Sequence, residues 1–236
     1  PQNQKKNHKN SVFKNIVENG TPFRRGNKYH AIISTSNIPK SIEYYRLLKK
    51  AMPKLKTTCL FDPNIDNVPG FEYKEDGLLE VIQDYNERYE QEYTLATFAN
   101  FKKNVALRLA HKDYFKLIER TPEKELDLLI VVNQMLTGFD SKWVNTLYLD
   151  KILEYENIIQ AFSRTNRLFG PDKPFGTIRY YRRPHTMEEN IKAAVKLYSG
   201  DKPLGLFVEK LKHNLDKMNL VFEDITTLFK NAGVPD

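Results

Sequence analysis

Leu126-Asp127-Leu128-Leu129-Ile130-Val131-Val132 is a nearly continuous apolar run that stops at Asn133 and Gln134. An apolar run of this kind, bounded by polar residues, reads as a strand covered on both faces, the setting of a parallel sheet. Similar short runs lie on either side of it. They are Tyr29-His30-Ala31-Ile32-Ile33-Ser34, Thr57-Thr58-Cys59-Leu60-Phe61, Asn145-Thr146-Leu147-Tyr148-Leu149 and Gly176-Thr177-Ile178-Arg179-Tyr180-Tyr181. Helical spacings fall between the runs. Ile42, Tyr45 and Leu48 space a helix over 41–51 that Pro53 ends, and Leu78, Leu79, Ile82 and Tyr85 space one over 77–89. Further periods cover 94–111 and 152–167. Strands alternating with helices predict an α/β, doubly wound, mainly parallel sheet with helices on both faces.

The pattern changes after Tyr181. Pro184-His185 breaks the chain, and Thr186 with Glu189 forms a capping box for a helix over 187–198. Helical periods resume from Leu204 to Lys230, so 184–236 reads as an all-α C-terminal segment. Residues 1–28 form a basic N-terminal segment, most simply a solvated tail. The α/β body spans 29–183, with an acidic insertion at about 62–93.

Composition narrows the function classes. The 14 Phe and 13 Tyr, within a 40% hydrophobic fraction, support a real core and exclude wholesale disorder. No apolar run nears the ~18–20 residues of a membrane span, and no signal-peptide pattern opens the chain, so no membrane partner is expected. The lone Cys59 excludes an internal disulfide and fits a reducing, cytoplasmic compartment. A start at Pro1 without Met suggests a piece of something longer. The charge is uneven: 160–183 carry six Arg/Lys against the single Asp172, a density suited to phosphate.

Common enzyme constellations are missing. There is no G-x-x-x-x-G-K-[ST] loop, no G-x-G-x-x-G, and no pair of His at metal-ligand spacing. Cys59, within an apolar strand, reads as inert packing. Two segments carry the chemistry instead. Thr137-Gly138-Phe139-Asp140 follows the strongest strand, where binding residues of open α/β sheets gather. Gly138 permits close backbone approach, and Asp140 can accept hydrogen bonds from a hydroxyl or an Arg. The second is Gln160-Ala161-Phe162-Ser163-Arg164-Thr165-Asn166-Arg167. Spacing puts Gln160, Arg164 and Arg167 on one helix face, where two guanidiniums call for an anion such as polyphosphate. Alone, each segment also fits a plainer role, a turn with a helix cap or a solvated helix end.

Together with Asn145-Thr146-Leu147-Tyr148-Leu149-Asp150-Lys151, these segments resemble motifs V and VI of the restriction (motor) subunit of type I restriction-modification enzymes. Those subunits belong to the superfamily 2 helicases and translocases. Ser163 stands in the Gly place of the general Q-x-x-G-R-x-x-R, and Val132 in the first Thr place of motif V. Ala31-Ile32-Ile33-Ser34-Thr35-Ser36 is similar to motif IV. The resemblance, over about Tyr29 to Tyr181, implies a second RecA-like lobe whose first lobe carries the phosphate loop. It implies ATP with Mg2+ shared between the lobes, with Arg167 as arginine finger, Arg164 beside it, Gln160 orienting them, and Gly138 and Asp140 near the nucleotide. It further implies backbone contacts to duplex DNA through Ser34, Thr35, Ser36 and Thr137, with no metal ligand in this chain. The implied partners are the first lobe and nuclease domain of the same subunit, and the modification methyltransferase and specificity subunits. By that resemblance the full-length protein is a type I endonuclease and ATP-dependent translocase, and the fragment alone is inactive. Two other readings stay open: another superfamily 2 motor, or a non-catalytic basic docking module.

Overall fold

A computed structural model describes residues 2–23, 28–62, 74–132, 139–167, 169–199, 218–221, 223–225 and 227. The chain divides into two compact units, Pro1–Ala194 and Val195–Asp236. The first contains, in order, α1 (Gln2–Phe23), β1 (His30–Thr35), α2 (Ile38–Ala51), β2 (Thr57–Leu60), α3 (Lys74–Tyr89) and α4 (Phe98–Ala110). Three single 3-10 turns lead to β3 (Leu128–Val131), β4 (Val144–Asp150), α5 (Glu156–Phe162), β5 (Thr177–Tyr180) and α6 (Pro184–Ser199), whose last turn crosses into the second unit. Of that second unit, the remaining described residues are helical, at 218–221, 223–225 and 227.

The five strands form one sheet in the order β2-β3-β1-β4-β5, and every pairing is parallel. Ile32 at the centre pairs with Leu129 on one side and Leu147 on the other. Successive strand residues point to opposite faces, yet every residue of β1 to β4 is buried. Both faces of the sheet are therefore covered. The edge strand β5 is only partly buried, and Arg179 on it is exposed. The α/β expectation holds, and all five expected strands form.

Local chemistry sets the helix ends. The Asn37 side chain accepts the Lys40 N–H at 3.1 Å, Pro39 fits the first turn of α2, and Ile38, Ile42, Tyr45 and Leu48 face the core. At the far end of α4, His111 takes a left-handed conformation (φ 51, ψ 52) and closes the helix onto Arg108 and Leu107 carbonyls.

Four local expectations are corrected. The segment read as a solvated tail contains helix α1, which buries Val12 and Ile16 at i, i+4 in the common core. Its many charges and amides had obscured that short stripe. In the stretch read as an insertion, α3 packs Leu78, Val81, Ile82, Tyr85 and Tyr89 into the core, as part of the crossover from β2 to β3. Helix α5 ends at Phe162 rather than Arg167. Helix α6 starts at Pro184, so Thr186 lies inside the first turn instead of capping it. Proline lacks the N–H that a first turn leaves unbonded, so it opens the helix without loss.

Ile32 is fully buried at the centre of the sheet, whereas Arg179 stands outside. Ile32→Ala should lower unfolding free energy by about 2–5 kcal/mol, and Arg179→Ala by less than about 0.5 kcal/mol. Urea denaturation followed by circular dichroism checks both; equal shifts would contradict this placement of the core.

Candidate functional site

Parallel pairing puts all strand starts on one edge of the sheet and all strand ends on the other. At the ending edge, β1 and β4 are neighbours. From β1 the chain moves toward the β2 side, and from β4 toward β5, so their ends form the topological switch point of a doubly wound sheet.

Asp150 closes β4 at that crevice and is almost completely buried. It accepts from Arg182 Nε at 2.7 Å and from the Tyr44 hydroxyl at 3.0 Å, and His8 Nε2 of α1 lies 2.8 Å away. Burial pushes the Asp150 carboxyl up, but the hydrogen bonds from His8 and Arg182 outweigh it and hold the group below the ordinary range. Next to it, Lys151 donates to the Val132 carbonyl at 3.2 Å, and burial lowers its ammonium to about 8. The crevice is thus filled by the chain's own side chains.

Two hydroxyls of the expected DNA set are also enclosed at this edge. Ser34 and Thr35 are both fully buried. The Thr35 hydroxyl lies 2.6 Å from Ser41 Oγ and 3.1 Å from the Asn37 carbonyl, which it serves as donor. Neither hydroxyl is presented to solvent, because the strand carries them inside the sheet layer. Ser36, one residue past β1, is exposed and lies 3.1 Å from the Lys40 ammonium. Thr137 and Gly138 lie outside the described residues.

The arginine cluster assembles at the opposite edge. Asp140 shortly precedes β4, and Arg167 Nε meets Asp140 Oδ1 at 2.9 Å. Arg164 stands near both: burial lowers its guanidinium below the ordinary value, Asp140 raises it and Arg167 lowers it further. The two segments singled out in the sequence therefore converge, but at the strand-start edge rather than at the strand ends. A single helix face is not what joins them. Gln160 is on α5, and its main-chain carbonyl accepts Arg164 Nε at 3.0 Å, while Arg167 lies beyond the helix.

Hydroxyl chemistry ends the helix there. Ser163 Oγ donates to the Gln160 carbonyl at 2.7 Å and Thr165 Oγ1 to the Phe162 carbonyl at 3.1 Å, competing with the backbone ladder. Thr165 is buried directly against Gly176, the residue before β5. A Cβ on Gly176 would clash with the Thr165 carbonyl oxygen and side chain, so this close approach requires glycine.

Asp150, Arg182, Gly176 and the buried Lys173 were missed as positions of interest. Asp150 had a usable signal: an acid ending the run Leu147-Tyr148-Leu149 must find partners if the strand is covered. The others are recognised only through contacts distant in sequence. Among the described residues, no group of three or more His, Cys, Asp or Glu could hold a metal ion, and no helix is long and apolar enough to cross a membrane.

Residues 27–183 match the family model for type I restriction enzyme subunit R domain 3. The SauCOLORF180P type I restriction enzyme endonuclease subunit of Staphylococcus aureus is 37% identical over 183 residues, covering 72% of this chain and 18% of that protein. The SsaAORF53P endonuclease subunit of Staphylococcus saprophyticus is 36% identical over 201 residues, covering 80% and 20%. The chain thus spans about a fifth of the length of these curated relatives. Among solved structures, Mss116p bound to ssRNA and AMP-PNP aligns over 95% of this chain and 38% of that one, at 13% identity and a TM-score of 0.44.

Two substitutions probe the two edges. With its folded value below the unfolded one, Asp150 contributes stability above the unfolded pKa, and this is lost as pH falls through the folded value. Asp150→Asn should cost about 1.5–3 kcal/mol at neutral pH and flatten the loss of stability in acid; urea midpoints from pH 7 down to 2 read both. Gly176→Ala should cost about 1–3 kcal/mol through forced displacement of the Thr165 turn, measurable by thermal denaturation. A neutral outcome would mean that the turn yields freely.

Proposed function

Because the chain belongs to the family of type I restriction enzyme R subunits, within their domain 3, we propose that it is the second RecA-like lobe of an ATP-driven DNA motor. The observation that carries this reading is the Arg167–Asp140 ion pair, with Arg164 beside it, at one edge of a parallel sheet. Two guanidiniums and one carboxylate leave a net positive charge in a half-exposed setting. Such a setting suits the oxygens of a triphosphate better than it suits a structural role.

In this reading ATP with its magnesium, held mainly by the first lobe, supplies the phosphoryl group. Arg167 is the finger that meets the charge developing on that group, and Arg164 stands beside it. The main-chain carbonyl of Gln160 orients Arg164, while Asp140 holds Arg167 or a ribose hydroxyl. The Gly138 loop borders the same nucleotide. Duplex DNA is held at the strand-end edge through backbone phosphates, by exposed Ser36, by main-chain N–H groups after β1 and by Thr137. Phosphate contacts of this kind carry no base information, as a motor stepping along any sequence requires. The lobe proper runs over 29–183 and works in the cytoplasm with the first lobe and nuclease domain of its own subunit, and with methyltransferase and specificity subunits. Alone, the lobe does not turn over ATP.

Loss of an arginine finger costs about 10³–10⁵ in rate in the best-studied cases. In the full-length subunit assembled with its partners, Arg167→Ala should abolish DNA-stimulated ATP hydrolysis at that scale while leaving assembly intact. Phosphate release and size-exclusion chromatography measured on the same preparation decide it. Loss of assembly with intrinsic turnover preserved would instead mark the basic segment as a docking surface.

A further inference from the structure

Lys173 is completely buried, an unusual place for an ammonium group. Its Nζ donates to two carbonyls at the start of β4, that of Lys142 just before the strand and that of Val144, its first residue, each at 2.8 Å. These carbonyls belong to the segment that carries Asp140. Lys173 itself closes a tight loop just after Arg167: the Phe169 N–H donates to the Lys173 carbonyl at 3.2 Å, and the Lys173 N–H to Gly170, which has φ +63. The ammonium therefore ties the loop that follows Arg167 to the segment that follows Asp140.

Other contacts brace the same junction. The Phe169 ring meets Trp143 edge-on at 4.9 Å, and the Lys142 ammonium lies 4.0 Å over Phe169. Trp143 stacks on His111 at 4.1 Å, and its backbone N–H donates to Ser141 Oγ, which in turn donates to the Leu109 carbonyl. The Asp140 side of the junction is thus fixed to α4, and Lys173 fixes the Arg167 side to it. Apolar packing could fill the same space, but it has no preferred direction along the strand. Two short donor bonds to carbonyls two residues apart do have one.

We propose that Lys173 is a positioning residue for Arg167, setting the distance at which Arg167 stands from Asp140 and hence from a bound triphosphate. The inference rests on the reading of Arg167 as the finger. Lys173 touches none of the reacting atoms, so it acts on rate through geometry alone. Displacement of a reacting group by about 1 Å can cost on the order of 10²-fold in rate.

The test is a mutant cycle in the full-length subunit assembled with its partners: Lys173→Met, Arg167→Ala and the double variant, with kcat and KM for DNA-stimulated ATP hydrolysis. Lys173→Met should lower kcat about 10–100-fold with KM within about twofold. Adding it to Arg167→Ala should lower kcat no further, because the effect passes through Arg167. A Lys173→Met kcat within twofold of the parent, or losses that multiply in the double variant, would overturn the proposal. Should the methionine variant not fold, Lys173→Gln, whose amide is one atom shorter than the lysine ammonium and cannot keep both 2.8 Å bonds with the loop in place, carries the same cycle with the same outcomes. Should Arg167→Ala leave turnover intact, the finger reading falls by itself. The positioning role is then decided by a crystal structure of the Lys173 variant, where an unchanged Arg167–Asp140 distance counts against it and a broken pair supports it.

Discussion

A common direction for all five strands is the constraint on which the rest of this structure depends. Parallel neighbours cannot be joined by tight turns, so each connection must travel the length of the sheet and leave one edge for the other. The two segments rich in chemical side chains both lie on such return paths. One returns from β3 to β4 and ends in Asp140; the other returns from β4 to β5 by way of α5 and ends in Arg167. Both arrive at the strand-start edge, and there they meet. A sheet with one strand reversed would send one of them to the other edge.

The opposite edge obeys the same constraint with a different result. A switch point opens a crevice between neighbouring strand ends, and in many open α/β sheets a ligand occupies it. Here Asp150 stands in it and gathers His8 from α1, Tyr44 from α2 and Arg182 from the chain after β5. A buried carboxylate without these partners would carry a large desolvation cost. Its presence therefore ties three separate segments to the end of β4, and α1 is fixed there as part of the core instead of hanging in solvent.

Much of this was legible in the residue order, for physical reasons. Short runs bounded by polar or turn residues need no partner information to be recognised, so all five strands were readable, as was the α/β class, although only β1 to β4 are covered on both faces. The cluster of Asp140, Arg164 and Arg167 was readable through the family resemblance, the residues alone giving only two guanidiniums three residues apart. Its edge was not, since Asp140 was read as belonging to the strand it follows rather than the strand it precedes. Helix α5 was read too long because Ser163 and Thr165 look compatible with a helix until their hydroxyls are seen bonding the carbonyls behind them. Buried Ser34 and Thr35 show the same limit: a hydroxyl at a strand end can serve a ligand or the fold, and only tertiary contacts with Ser41 and Asn37 decide for Thr35.

The strength of the Arg167–Asp140 contact matters for the proposed motor. Both side chains are more than half exposed, and exposed ion pairs contribute only about 0–1 kcal/mol. A contact that weak orients a guanidinium without holding it: a phosphate oxygen entering the site could take it over at little cost. Had the pair been as deeply buried as Asp150, breaking it would cost about 3–5 kcal/mol, and the arginine would be a fixture of the fold. Lys173 supplies the rigidity that the surface pair lacks, and it does so beneath the surface, where exchange with solvent or ligand does not disturb it. A fixed base with a loosely held tip is what an arginine needs if it must find the same anion at every cycle and let it go again.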